Sequence, residues 1–172
     1  MPYDTFTPRS NETGVSSDPT LAFDRPELRD LLGIWEARRR GRRAPARADL
    51  DPFVLKAHLG DLFLVDVEHD PVRFRHRLIG TRITQIVRRD ATGRYFDDIY
   101  IGRLRETMIE VHRRVVSERA PLRIYSRTGH PYNSVYVYDG LLLPLAEDGE
   151  TVNMVLGALL FTPERVSRAA KA

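Results

Sequence analysis

Few side chains in this sequence are of a type and spacing that performs chemistry. Five histidines are scattered along it and there is no cysteine, which removes disulfides, thiolate metal sites and cysteine nucleophiles together. No H-E-x-x-H pair, no G-x-S-x-G elbow and no glycine-rich phosphate loop with its lysine occurs. Asp97 and Asp98 are adjacent carboxylates. At a helix start they suit the positive end of its dipole, and no neighbouring residue marks them for catalysis or a metal. The expectation is therefore no catalytic residue and no metal ligand.

Binding is better provided for than catalysis. Phe74, His76 and Leu78 alternate with Arg73, Arg75 and Arg77, so one strand carries an apolar face with a histidine in it and an opposite face of arginines. Such a row of cations must be solvated or paired, and Asp66 is a suitable mate. Tyr132, Ser134, Tyr136 and Tyr138 also alternate and share a face. This alternation suggests a pocket lined by Phe74, His76, Leu78, Tyr136 and Tyr138; tyrosines are equally good cross-strand packers. A register slip of one residue would turn Arg75 and Arg77 inward and make the same pocket an anion site. The strongest charge feature is Arg38, Arg39, Arg40, Arg42, Arg43 and Arg47, six arginines in ten residues. Guanidinium forks match phosphates, so a nucleic-acid- or nucleotide-binding regulator using Arg38–Arg47 is the alternative reading. An acidic protein partner and a solvated helix end are the others.

These groups must be held by elements that the periodicity shows. Residues 1–22 are rich in Ser, Thr, Pro, Asn and Asp and read as a flexible tail. Asp24 as cap, Pro26 in the first turn and Glu27 three residues on predict a helix start, with Phe23 and Leu28 as its staple. Leu28, Leu31, Leu32 and Trp35 form its apolar stripe, Ile34 falls to one side, and Gly41 ends it. Next come an arginine-rich loop, a short helix from Asp51-Pro52 to Gly60, and a hairpin of strands at Leu62 to Val67 and Val72 to Leu78. Thr81 caps a short helix carrying Ile83, Ile86 and Val87; Leu104, Met108, Val111 and Val115 stripe a longer one that Pro121 stops. Strands at Leu122 to Ser126, Tyr132 to Leu145 and Val152 to Phe161 complete the chain, the last two joined by a turn containing Asp148-Gly149. Strands, then helices, then strands is the order of an α+β fold with an antiparallel sheet.

Length and composition agree. The 172 residues suit one domain, and 42% hydrophobic with 30% charged residues suits a folded core. Net charge is only +3, from 27 basic and 24 acidic residues, so a polyanion or membrane-surface role needs a local patch. The longest apolar run, Met154 to Phe161, is far below the ~20 residues of a transmembrane helix. The N-terminus lacks a signal-peptide pattern; a soluble, cytoplasmic protein with no membrane contact is expected.

Local words add a family. Trp35, Pro45, Arg47, Asp49 and Asp51-Pro52, then Phe63-Leu64-Val65-Asp66, then Arg75 and Arg77-Leu78-Ile79-Gly80-Thr81 followed by Arg89-Asp90 and Thr92-Gly93, then Leu143-Pro144-Leu145 with Asp148-Gly149, resemble the single-domain PAS proteins of alphaproteobacteria. The resemblance runs from about Asp24 to Phe161. It implies a five-stranded antiparallel sheet with helices on one face, an N-terminal capping helix, and a sensory or protein-interaction module without catalysis. It transfers no defined ligand or cofactor. Flavin-binding light sensors of the class need a cysteine in an asparagine-rich helical motif, which this chain lacks. Haem-binding members use a histidine on the helical segment, where His112 is the histidine of the long helix.

The organisation expected is thus a tail at 1–22, an N-terminal helix with its arginine-rich loop at 23–46, a PAS domain at 47–162 and a C-terminal tail at 163–172. The function expected is a non-enzymatic sensory or adaptor module that binds a small ligand, a protein partner or both. Without an output domain in the sequence, signalling would run through another protein. Leu28, Leu31, Leu32 and Trp35, together with the outer face of the sheet, are the expected homodimer interface; packing of Trp35 against the protomer's own sheet and a contact with a separate partner are the other readings of that side chain.

Overall fold

Alternation along the strands gives this protein two cores, one on each side of a single sheet. The computed structural model describes residues 14–129 and 135–164. Its strands are β1 (Ser16–Asp18), β2 (Leu62–Glu68), β3 (Arg73–Ile79), β4 (Leu122–Gly129), β5 (Val135–Leu145) and β6 (Met154–Glu164). They pair antiparallel throughout in the order β1-β4-β5-β6-β2-β3. The helices are α1 (Pro26–Arg39), α2 (Thr81–Val87), α3 (Phe96–Ile99) and α4 (Gly102–Glu118).

On the inner face Phe63, Val65, Ile124, Leu142 and Val155 meet α4 through Met108, Val111 and Val115. On the outer face Leu62, Leu64, Leu141, Leu143, Leu145 and Leu156 meet α1 through Leu28, Leu31 and Trp35. Strands of antiparallel sheets often leave one face wet; here the odd and even positions of β2, β5 and β6 are both apolar, and both faces are covered.

The sheet has six strands where the sequence predicts five. The extra one lies in the stretch read as a tail: Ser16–Asp18 pairs with Tyr125–Arg123 of β4. Val15 is buried and its N–H donates to Thr107 Oγ1 at 2.9 Å, which ties the strand to α4. Residues 1–13 and 165–172, and with them most of both predicted tails, lie outside the described residues.

Other boundaries shift for local reasons. The first helix begins at Pro26, with Arg25 rather than Asp24 at the cap position and no side-chain cap. Residues 51–60 form turns and a 3-10 turn at Leu59–Asp61 rather than a helix, with Asp51 Oδ1 accepting from the Phe53 N–H at 2.6 Å. Gly80, not Thr81, occupies the cap of α2. The predicted turn at Gly129–Pro131 begins in β4, and residues 130–134 lie outside the described residues, Tyr132 and Ser134 among them. Among the described residues no helix is long and apolar enough to cross a membrane.

Candidate functional site

β3 is where the face assignments are decided. Phe74 and His76 are buried on the inner face, as their alternation predicts. Between His76, which opposes Val65, and Leu78, which opposes Leu64, the ladder slips by one residue. This bulge at Arg77 inverts the facing of the residues after it. Leu78 turns to the outer face and is 47% exposed, beside Leu64, Leu59 and Leu62, while Ile79 takes the inward place opposite Phe63. Leu78 is therefore corrected from pocket residue to outer surface, and Ile79 replaces it. Arg75 and Arg77 stay outward: both bond the Asp66 carboxylate, at 3.0 and 3.3 Å. They are paired on the face opposite the cavity, so the anion site imagined for them is not formed.

The cavity itself, about 160 Å³, lies between the inner sheet face and α2, α3 and α4. Phe63, His76 and Ile79 form its floor with Tyr138 of β5 and Leu159 and Phe161 of β6. Ile83, Val87, Ile99, Leu104 and Met108 close it from the helical side, with Arg89, Ala91 and Tyr100. Gly157 makes the floor possible: a Cβ there would overlap the carbons at the far end of the Phe63 ring. Of the remaining predicted lining residues, Phe74 packs deeper, 5.6 Å from the Phe96 ring and 5.4 Å from the His112 ring. Tyr136 stands outside the lining and meets Phe161 edge-on at 6.3 Å. The cavity lies against the helical segment from Thr81 to Glu118, as expected, and Ile83 and Met108 come from the aliphatic stripes of α2 and α4; the sequence does not single out Arg89 or Tyr100, because loop positions face a cavity only through tertiary packing.

Ser126, Arg127 and Thr128 of β4 also line the cavity, Ser126 and Thr128 half-buried like Arg89 and Arg127 exposed; its buried polar groups are few. His76 Nε2 lies 2.9 Å from the Tyr100 hydroxyl, and His76 Nδ1 is buried without a hydrogen-bond partner. Burial pushes the His76 imidazole down to about 3, and the nearby His112 and Arg89 charges push the same way. Burial raises Tyr100 well above the usual phenol range, against the opposing pull of Arg89. Both groups are neutral at pH 7. His112, entirely buried among Phe63, Phe74 and Phe96, has Nδ1 2.8 Å from the Met108 carbonyl oxygen. Burial takes it down to about 4. It does not line the cavity. A haem would need that histidine at the cavity wall and a far larger volume, so the residues do not fit a haem. A three-ring flavin likewise exceeds about 160 Å³. Among the described residues no group of three or more His, Asp or Glu is placed to hold a metal ion.

The other two predicted sites change character. Leu28, Leu31 and Trp35 are at most 2% exposed, within the protomer's own outer core. The Trp35 indole N–H donates to the Pro144 carbonyl at 2.8 Å, and Leu32 and Ile34 pack at the edge of the same cluster. The dimer interface placed on this stripe is corrected: the sheet face that α1 was expected to cover on a mate is its own. The arginine cluster is largely committed at home. Arg39 pairs with Glu36 at 2.6 Å, Arg42 with Asp49 at 2.5 Å and Arg43 with Glu150 at 3.6 Å, and Arg47 donates to the Leu50 carbonyl at 2.8 Å. Asp97 and Asp98 sit exposed in the first turn of α3, the place their charge favours.

Several solved structures are similar to this chain at low sequence identity. The crystal structure of a Rhodobacter sphaeroides LOV protein is 12% identical, with a TM-score of 0.46 over 87% of this chain and 72% of that chain. An RNA-binding light-oxygen-voltage receptor is 12% identical, with a TM-score of 0.45 over 67% of this chain and 35% of that chain. A light-oxygen-voltage domain studied with a flavin analogue is 10% identical, with a TM-score of 0.47 over 67% of this chain and 87% of that chain. No curated protein matches this chain. A family model described as PAS domain matches residues 23–160, spanning α1, the bulged hairpin, the helical segment and the last three strands; the chain belongs to the PAS domain family.

Proposed function

We propose that this protein is a cytoplasmic, non-enzymatic sensory or adaptor module. A small molecule occupies the cavity between sheet and helical segment, and its presence is passed to a protein partner or a second copy of the chain. The observation that carries this reading is the cavity: about 160 Å³, walled by aliphatic and aromatic side chains, with one buried imidazole whose Nδ1 has no partner. Buried polar atoms are almost always satisfied, so a ligand atom is the natural complement. Within the family, the words around Arg77–Thr81 and Asp90–Gly93 support a place among the alphaproteobacterial single-domain members. A protein contact is supported by a surface other than α1: Phe53 is 81% exposed, and exposed Leu59 and Leu78 stand by the leucine-lined outer groove. Exposed apolar clusters of this kind mark contact surfaces.

Native mass spectrometry of freshly purified full chain tests the ligand and the assembly together. The expected spectrum shows a small-molecule adduct lost on activation, and a mass equal to two chains or to a complex with a partner. A protein that is empty and monomeric at micromolar concentration, and whose inner-face methyl signals ignore small aromatic probes, would sink the reading.

A further inference from the structure

The cavity's polar groups bear on what its ligand is. Arg89 is the cationic side chain of the helical wall, half-buried at the cavity. Among the described residues it has no ion pair and no side-chain hydrogen bond. The other lining arginine, Arg127, is held by Glu164. Arg89 is not on a loose loop. Arg88 closes α2 in the left-handed region at φ 55°, and the Asp90 carboxylate accepts from the Thr92 N–H at 3.0 Å and its hydroxyl at 2.6 Å. The Gly93 N–H donates to the His76 carbonyl at 2.6 Å, and the His76 N–H donates to the Arg94 carbonyl at 2.9 Å. The segment is thereby laced to the β3 edge, at the residue whose Nδ1 is unpartnered. The guanidinium stands near enough for its charge to act on both His76 and Tyr100.

Resting on the ligand-site reading above, we propose that the cavity takes a compact aromatic carboxylate. Its single ring lies against Phe63, Ile83 and Leu159, its carboxylate meets Arg89, and a polar atom of it reaches the His76 imidazole. Size selects the ring: a dry cavity of roughly 150 Å³ accommodates one benzene, and this one holds about 160 Å³. Charge selects the acid: a partly desolvated guanidinium fork prefers a carboxylate, which it meets through two parallel bonds. An inorganic anion would leave the apolar volume unused, and a neutral ring would leave Arg89 unmatched.

The test uses the full chain with benzoate and benzyl alcohol, the charged and neutral probes of one ring. Calorimetric titration gives affinities, and methyl NMR reports at Ile83 and Leu159. Benzoate should saturate and shift both methyls, and should bind about tenfold or more tighter than benzyl alcohol, the ratio expected of a charge-assisted contact. Arg89→Gln should erase that preference, while Arg89→Lys keeps most of it, and equal melting temperatures show that both variants are folded. Equal affinity for the two probes, or benzoate binding indifferent to Arg89→Gln, overturns the acid assignment and leaves the ligand site standing. Binding of neither probe, with Ile83 and Leu159 unmoved, overturns the proposal and the ligand-site reading beneath it.

Discussion

Replacing Trp35 distinguishes a helix that belongs to its own protomer from one that reaches a mate. The side chain is 2% exposed among the leucines of the outer core, and its indole N–H donates to the Pro144 carbonyl at 2.8 Å. Truncating a buried Trp to Ala costs about 3–5 kcal/mol from lost transfer and residual cavity. The orphaned carbonyl adds about 1 kcal/mol where water can reach the vacated space, more where it cannot. Trp35→Ala should therefore destabilise by roughly 4–6 kcal/mol, which for a domain of this size lowers the melting temperature by roughly 10–20 °C. Trp35→Phe keeps a ring and loses the hydrogen bond, for about 1–3 kcal/mol. Trp35 is the one tryptophan, so far-UV circular dichroism rather than fluorescence tracks urea unfolding, with sedimentation velocity in parallel. The expected outcome is a large fall in midpoint and no change in the native mass. An unchanged midpoint with a halved mass would refute the assignment and return the stripe to an interface between copies.

The inner face supplies two further outcomes. Gly157→Ala places a methyl group in the Phe63 ring; overpacking of this kind costs about 1–3 kcal/mol and tips the ring into the cavity. Unfolding temperature and benzoate affinity should both fall, and a variant that retains both would show that the floor is built differently. His76 and His112 are held neutral by burial, at about 3 and about 4. Below the ordinary imidazole value of about 6.5 the unfolded chain takes up protons that the folded chain refuses. Stability is thus complete above about pH 6.5 and falls with pH towards 4, at about 1.4 kcal/mol per pH unit for each histidine. His112→Leu should remove about half of that slope in urea midpoints between about pH 6.5 and 4.5; an unchanged slope would mean that His112 is not buried neutral.

Much of the fold was legible because it depends on local period. Leu104, Met108, Val111 and Val115 recur at helical spacing and do face the sheet from α4. The alternation in β2 and β3 correctly sends Phe74 and His76 inward and pairs Asp66 with Arg75 and Arg77. The Phe23–Leu28 staple joins one cluster. The site was only half legible. Tyr138 and His76 line it as expected, but a period of two cannot show that β3 carries one residue more than β2 opposite it, and that single bulge moves Leu78 out and Ile79 in.

The rest belonged to tertiary structure. Ser16–Asp18 has neither apolar pattern nor strand propensity; it is a strand because β4 presents an unpaired edge whose backbone groups must be satisfied, and because Val15 finds a buried seat. The stripe on α1 is written in the sequence, whereas its partner is not: an apolar face states that it must be covered, and only the chain path decides whether its own sheet or another copy covers it. The same holds for Arg89. Its neighbours Asp90 and Thr92 make a turn by themselves, but a turn's own residues do not state which strand it will meet; packing of the helical segment on the sheet decides that it is held by the β3 edge, at His76.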